Sequence, residues 1–351
     1  MTRESAERLA WLIGCTGCLL ALLGWLMEPL VFPYAWLAAV NAWVGWLLGC
    51  LALLLAHALT GGRWGIAIRP HLLIGIGTLP LLLPAIVPLL FVLPRLYPWL
   101  RSDGAGTIAN AFYLNGSFAV WRGIAYLIVW FGLAGFVLRA ARRGTVPGPL
   151  AVTGLILLAI TVTFAAVDTT MSLDPQFASS SYGMIAGAES GLLAASVCVL
   201  AAALDPRVPA DTLNDVGRLL LGLLVLWAYL DFMQLLIVWN SNLPNEAAWY
   251  VARASNGWAS VAAIIAVGHF LLPFFALMVP RLRQTRQGLV AVATLLIVME
   301  ALRAWWLVLP ADHRFIGWID VAAMLAIAGF AAGMALHGSR PAAMSLRTSH
   351  G

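Results

Sequence analysis

Lysine is missing altogether from this 351-residue chain, whose 20 basic residues are all arginine against 15 acidic ones. Charged residues make up only 10% of the sequence and hydrophobic ones 62%, where a soluble domain carries about 25% charge. That is too little polar surface to clothe a protein in water. Cysteine is scarce too: Cys15, Cys18, Cys50 and Cys198 all lie in apolar runs and read as small buried hydrophobes. The CTGC pair is followed by Leu19, where covalent haem attachment needs a histidine. The chain also lacks a phosphate-binding P-loop, a dinucleotide-binding glycine fingerprint and a zinc-protease histidine pair, and has no soluble stretch long enough to carry one.

What is present is a succession of long apolar runs. A bilayer core about 30 Å thick takes about 20 apolar residues per helix. Runs of that length occur at 9–27, 35–59, 72–94, 118–138, 150–168, 183–204, 216–239, 258–279, 289–309 and 317–337, predicting an all-α membrane protein with ten transmembrane helices. A transmembrane barrel would instead alternate apolar and polar residues over strands of about 10. The arginines alternate by loop. Fourteen fall at the amino terminus, after the even-numbered spans or in the tail; Arg95, Arg101, Arg253 and Arg314 fall in the intervening loops, and Arg122 and Arg303 lie inside spans. Arg-rich loops stay in the cytoplasm, so the expectation is a multi-pass protein of a bacterial inner membrane with both termini cytoplasmic. A positive balance distributed this way fits a bilayer and not a nucleic acid. No small-residue cleavage site precedes Glu28 and Pro29, so the first span reads as retained.

The whole chain reads as one polytopic domain, with halves at 1–168 and 183–337 and a disordered cytoplasmic tail at 338–351. The long outward loops 95–117 and 240–257 follow the third and seventh spans. Their matching positions suggest two four-helix bundles, spans two to five and six to nine, with the first and tenth peripheral. The stretch DTTMSLDPQFASSSYG, residues 168–183, would be the outward hinge between them, its hydroxyls capping the sixth helix and Pro175 fixing the turn. Pro80, Pro84 and Pro88 predict a broken third span.

A charge at membrane depth costs about 2.5–3.5 kcal/mol even on the insertion scale, so each one needs a partner or a water path. Glu300 and Arg303 are three apart on one span and would form an intrahelical ion pair. Glu189 and Asp231 have no local basic partner; they would share a proton or pair with Arg122 or Arg303. Two readings stay open: a short outward proton path through Asp168, Glu189, Asp231, His269, Glu300 and Arg303, or a set of interhelical hydrogen bonds. His57, His71, His313, His337 and His350 fall at span ends, in loops or in the tail, so a bis-histidine haem is not expected at His269.

Read in order, MSLDPQFASSSYG, WAYLDFMQLLIVWNSNLPNEAAWYVARASNGW, GHFLLPFF and VMEALRAWWLVLP resemble the F subunit of bacterial alternative complex III, the second quinone-binding subunit of quinol:cytochrome c oxidoreductase, itself related to the NrfD-type membrane subunit of polysulfide reductase. The likeness is strongest over 150–310. Asp168, Met171, Ser172, Leu173, Pro175, Ser179, Tyr182 and Gly183 match the family pattern, and Gln176 and Phe177 replace a His-Trp pair. Trp227, Tyr229, Gln234, Trp239, Asn242, Leu243, Pro244, Glu246, Trp249, Tyr250, Arg253 and Trp258 also match. Asp231 replaces a small apolar residue, and Glu300 and Arg303 reverse the family's signs, which keeps an ion pair but not the direction of a proton step.

The resemblance implies a respiratory membrane subunit that scaffolds and conducts protons without binding a redox cofactor or metal. Its implied partners are a homologous membrane C subunit and periplasmic iron–sulfur and c-type cytochrome subunits. The outward loops, with Asp174, Tyr182, Glu246, Trp249, Tyr250 and Arg253, would dock those partners. One alternative is a quinone-reactive NrfD-type anchor, its quinone or quinol near Gln234, Trp239 and His269. Another is a secondary transporter, which requires broken midplane helices in both halves. Reporter fusions should place both ends of the chain in the cytoplasm with ten crossings between them; a carboxyl-terminal reporter active outside the cell would overturn this orientation.

Overall fold

The computed structural model describes residues 2–100 and 110–339, so Arg101 and nearly all of the expected tail lie outside the described residues. Every regular element among them is helical: α1 (Arg3–Met27), α2 (Phe32–Thr60), α3 (Arg63–Ile76), α4 (Leu82–Leu96), α5 (Gly116–Arg142), α6 (Gly148–Thr169), α7 (Tyr182–Leu204), α8 (Ala210–Ser241), α9 (Pro244–Ala252), α10 (Trp258–Ile265), α11 (Leu272–Met278), α12 (Pro280–Gln284), α13 (Arg286–Val308) and α14 (Trp318–Gly338). With α3–α4 and α10–α11 each counted as one run, ten are long and apolar enough to cross a membrane. The chain is a multi-pass helical membrane protein. Several helices extend beyond their apolar runs; α3 begins at Arg63 instead of 72, because an arginine on a long aliphatic stem can finish a helix at headgroup level.

Arg3 Nη2 donates to the Leu336 carbonyl at 2.7 Å and to Ser339 Oγ at 2.5 Å, so both ends of the described chain meet at one end of the bundle. That end is called the terminal end below, and the opposite one the far end. Helix α2 is the spine, packing on α7, α14, α3, α6 and α13. Apolar side chains alone do not draw helices together in lipid; close van der Waals approach does, and small residues permit it. A Cβ on Gly49 would sit 1.9 Å from the backbone oxygen of Ser190, so α2 and α7 touch backbone to backbone there. The pair α1 and α14 uses the same device. Ala10, Gly14, Gly17, Ala21 and Gly24 form one buried stripe on α1, and a Cβ on Gly17 would meet the Ala326 nitrogen at 2.5 Å.

Two spans are interrupted. In the third, the helix stops at Ile76 and resumes at Leu82 after a tight turn holding Pro80, which has no N–H to give and crowds the preceding turn. At the break the Gly75 carbonyl accepts from the Thr78 N–H at 3.1 Å and from Thr78 Oγ1 at 2.7 Å, and that hydroxyl accepts from Trp43 Nε1 at 3.3 Å. The break is narrower than the proline spacing suggested. Pro84 and Pro88 ride inside α4, where Trp36 Nε1 of α2 donates to the Ala85 carbonyl at 2.8 Å.

In the eighth span, residues Ala266–Leu271 wind as a π-helix. Pro273, four residues past His269, cannot donate to the His269 carbonyl, and the widened turn relieves that mismatch.

Filling the α2–α7 contact should be costly. Gly49→Val should lower the thermal unfolding midpoint in detergent, an overpacking cost of about 1–3 kcal/mol or more. Gly135→Ala, where a Cβ would meet open space, should leave it unchanged.

Candidate functional site

The densest polar feature inside the bundle is made by four elements. On α8, Trp227, Asp231 and Gln234 are spaced four and three residues apart and share a stripe; on α13, Glu300, Arg303 and Leu307 do the same. Glu189 lies seven residues into α7, about 10 Å along its axis from the far end. The π segment supplies His269.

Arg303 is the centre. Its Nη2 donates to Asp231 Oδ1 and its Nη1 to Asp231 Oδ2 at 3.3 Å, the two-pronged match of a guanidinium to a carboxylate. Its Nε lies 3.7 Å from Glu189 Oε1. Trp227 and Trp306 present their rings to the guanidinium at 5.3 and 5.1 Å. Glu300 on α13 and Glu189 on α7 line the same cavity as Arg303. His269 Nε2 stands 3.1 Å from Glu300 Oε2, but out of hydrogen-bond alignment, leaving both atoms buried without a partner. The imidazole is fully buried against Trp227, ring centres 4.2 Å apart.

The expected pair within α13 is therefore not what forms. Glu300 and Arg303 share a face, but the guanidinium fork takes both oxygens of Asp231 on α8, while Glu300 approaches His269. Asp168 does not join the cluster either. Arg122 donates to both its oxygens at 2.9 Å and Tyr126 donates a third bond at 2.7 Å, with Arg122 lying 3.9 Å from the Tyr113 ring centre. This clamp ties α5 to α6, and no contact among the described residues links it to Glu189 or Arg303.

A cavity of about 170 Å³ lies beside the cluster, lined by Glu189, Glu300, Arg303, Gln234 and Asn41 and running to Thr170 toward the far end. Its lining is mainly apolar with these polar groups set into it, and it has room for several waters at about 10–15 Å³ each.

The loop residues expected to dock partners form its roof instead. Tyr182 is buried and donates to Thr170 Oγ1 at 2.9 Å; Trp249 stacks on Phe177 at 4.6 Å; Arg253 lies 3.4 Å over Trp249 and donates to the Leu307 carbonyl at 2.5 Å. Burial pushes the Arg253 guanidinium down to about 9, which leaves it charged at neutral pH. Burial raises the Tyr250 phenol to about 12, and its oxygen accepts from Gln234 Nε2 at 3.1 Å. These apolar and amphipathic rings pack inward because a loop over a bundle end must bury its aromatics somewhere.

Of the proposed docking set, Asp174 and Glu246 stay toward the surface, Asp174 closing a turn by accepting from the Gln176 N–H at 3.2 Å. Nor do the residues proposed for quinone contact converge. Trp239 is 78% exposed on the outer face, while Gln234 and His269 are buried. The serines do not cap α7: no side-chain bond closes its start, and Ser179 donates instead to Gln234 Oε1 at 2.6 Å.

Sequence reasoning missed the roof, the π segment and Trp227. The Trp227–Asp231–Gln234 stripe and the His269–Pro273 spacing were the signals that could have found the last two. No known protein family profile and no curated protein matches the chain.

Removing one partner of a buried pair leaves uncompensated charge, at about 3–5 kcal/mol. Arg303→Gln should therefore destabilise the protein strongly in thermal melts, and adding Asp231→Asn should recover part of the loss. Equal melting of all three proteins would show that the pairing carries no energy.

Proposed function

We propose that this chain is the membrane subunit of a respiratory quinol-oxidising complex of the alternative complex III type, carries no redox cofactor of its own, and holds and relays protons at the Glu189–Glu300 pair. The observation that carries the proton reading is that Glu189 and Glu300, from two different helices, line one cavity of about 170 Å³ together with Arg303. The assignment to a quinol-oxidising complex rests on the sequence resemblance. In this reading the termini are cytoplasmic, spans two to five and six to nine form two bundles, and the cavity opens toward the periplasm. The homologous C subunit, the iron–sulfur protein and the c-type cytochromes would be its neighbours, and quinol would be oxidised beside it.

The chain's own residues divide the work. Water in the cavity brings a proton to Glu189, Glu300 on the same cavity takes it onward, and His269 stands 3.1 Å beyond as the next acceptor. Arg303 cannot give up its own proton, so it acts as a fixed charge that makes carboxylates tolerable at this depth. Asp231 neutralises Arg303 and takes no part in transfer.

A second reading, secondary transport, gains support from interruptions in the third and eighth spans, one in each half. The two make different demands on the purified protein. In the assembled complex, Glu189→Gln and Glu300→Gln should keep quinol oxidation within about twofold of the parent and lower the protons released per electron, measured with a pH electrode. Proton release and activity unchanged in both variants would remove the relay. A native purification without c-type haem and iron–sulfur proteins would remove the complex and favour transport.

A further inference from the structure

At the terminal end, between α14 on one side and α3 and α7 on the other, the bundle opens into a fissure of about 1180 Å³. Small-molecule pockets run to about 300–1,000 Å³. Its wall is hydrocarbon, with Ile66, Ile74, Leu193, Leu200 and Ile327 among the lining residues. Its mouth is different: Arg3, Arg63 and Arg207 stand there against a single acid, Asp205. Two of these arginines are held only by surface pairs, Arg63 to Asp215 and Arg207 to Asp205, both at 2.8 Å, with the arginine side chains 68% and 73% exposed. The Arg63 pair is of a kind that contributes little, and Arg207, though it grips both oxygens of Asp205, stays exposed. Arg3 Nε is buried at the mouth with no hydrogen-bond partner.

A cationic rim at headgroup level over a large apolar depth matches one class of molecule. A water-soluble anion would leave the hydrocarbon wall uncovered, and an uncharged isoprenoid would leave three guanidinium groups without a use. We propose that the fissure binds an anionic phospholipid, its phosphate held by Arg3, Arg63 and Arg207 and its acyl chains lying along α3, α7 and α14. The chains reach Glu300, which lines the fissure and also the smaller cavity beside Glu189 and Arg303. The lipid would thus seal the Glu189–Glu300 pair from the terminal end, so that protons exchange only toward the far end; this last consequence rests on the proton-relay reading, whereas the binding itself does not.

The test is native mass spectrometry of the full-length protein released from nanodiscs containing equal phosphatidylglycerol and phosphatidylcholine. One phosphatidylglycerol should remain bound after bulk lipid is stripped, in at least fivefold preference over phosphatidylcholine. Arg63→Gln combined with Arg207→Gln should abolish the preference. Ala201→Trp, which fills the fissure and leaves the rim charges in place, should reduce retention of both lipids at least fivefold. Equal retention of the two lipids, a retained quinone mass, or retention that neither variant alters would overturn the proposal. None of those results would change the proton stoichiometry expected of the Glu189 and Glu300 variants, so the two ideas fail separately.

Discussion

The arrangement of the bundle's interior follows from one requirement: a guanidinium that cannot be neutralised has been placed among apolar helices. Arg303 must be met by anions and by groups that tolerate a cation, and three helices contribute them. Asp231 on α8 supplies both oxygens, Glu189 on α7 a longer contact, and Trp227 and Trp306 their ring faces. Once Asp231 has taken the fork, Glu300 is left beside an imidazole. Three acids around one permanent cation is an excess of negative groups, and an excess of this kind is stable in hydrocarbon only when protons make up the difference. The proposed proton relay would then be a by-product of the geometry that satisfies the arginine.

The roof at the far end is the second consequence. A cavity with charged groups in its wall, inside a membrane protein, must be closed to lipid and opened, if at all, to water. Phe177, Trp249 and Trp306 with Arg253 between them make a stacked layer over it, and the Ser179–Gln234–Tyr250 chain of hydrogen bonds threads through that layer. The loop aromatics that looked like a surface for partners are consumed in this closure. What remains for a partner at that end is the turn at Asp174, Glu246 and the exposed helix faces.

Much of this was legible in the sequence because lipid leaves the backbone few choices. Length and apolarity alone place ten crossings, and the broken third span is written in Pro80. The buried titratable residues could also be named in advance, since any charge in such a run stands out. Their pairing could not. A three-residue spacing says that Glu300 and Arg303 share a face, but not that a facing helix offers Arg303 a better-shaped partner. Asp168 shows the same limit: depth suggested a place in the relay, whereas Arg122 and Tyr126 lock it into a separate clamp. Trp249 and Arg253 were misread because amphipathic side chains in a loop look alike whether they point at a partner or at their own core.

The contact between Gly49 and Ser190 has a further meaning, because Ser190 directly follows the acid that faces the cavity. Where two rods meet with no side chain between them, there is no cushion to compress and no second packing to fall into. The glutamate is therefore carried on a helix held backbone to backbone against its neighbour. In the proposed relay such a group gains from standing still: the water would do the travelling, and the receiver would be found at the same address.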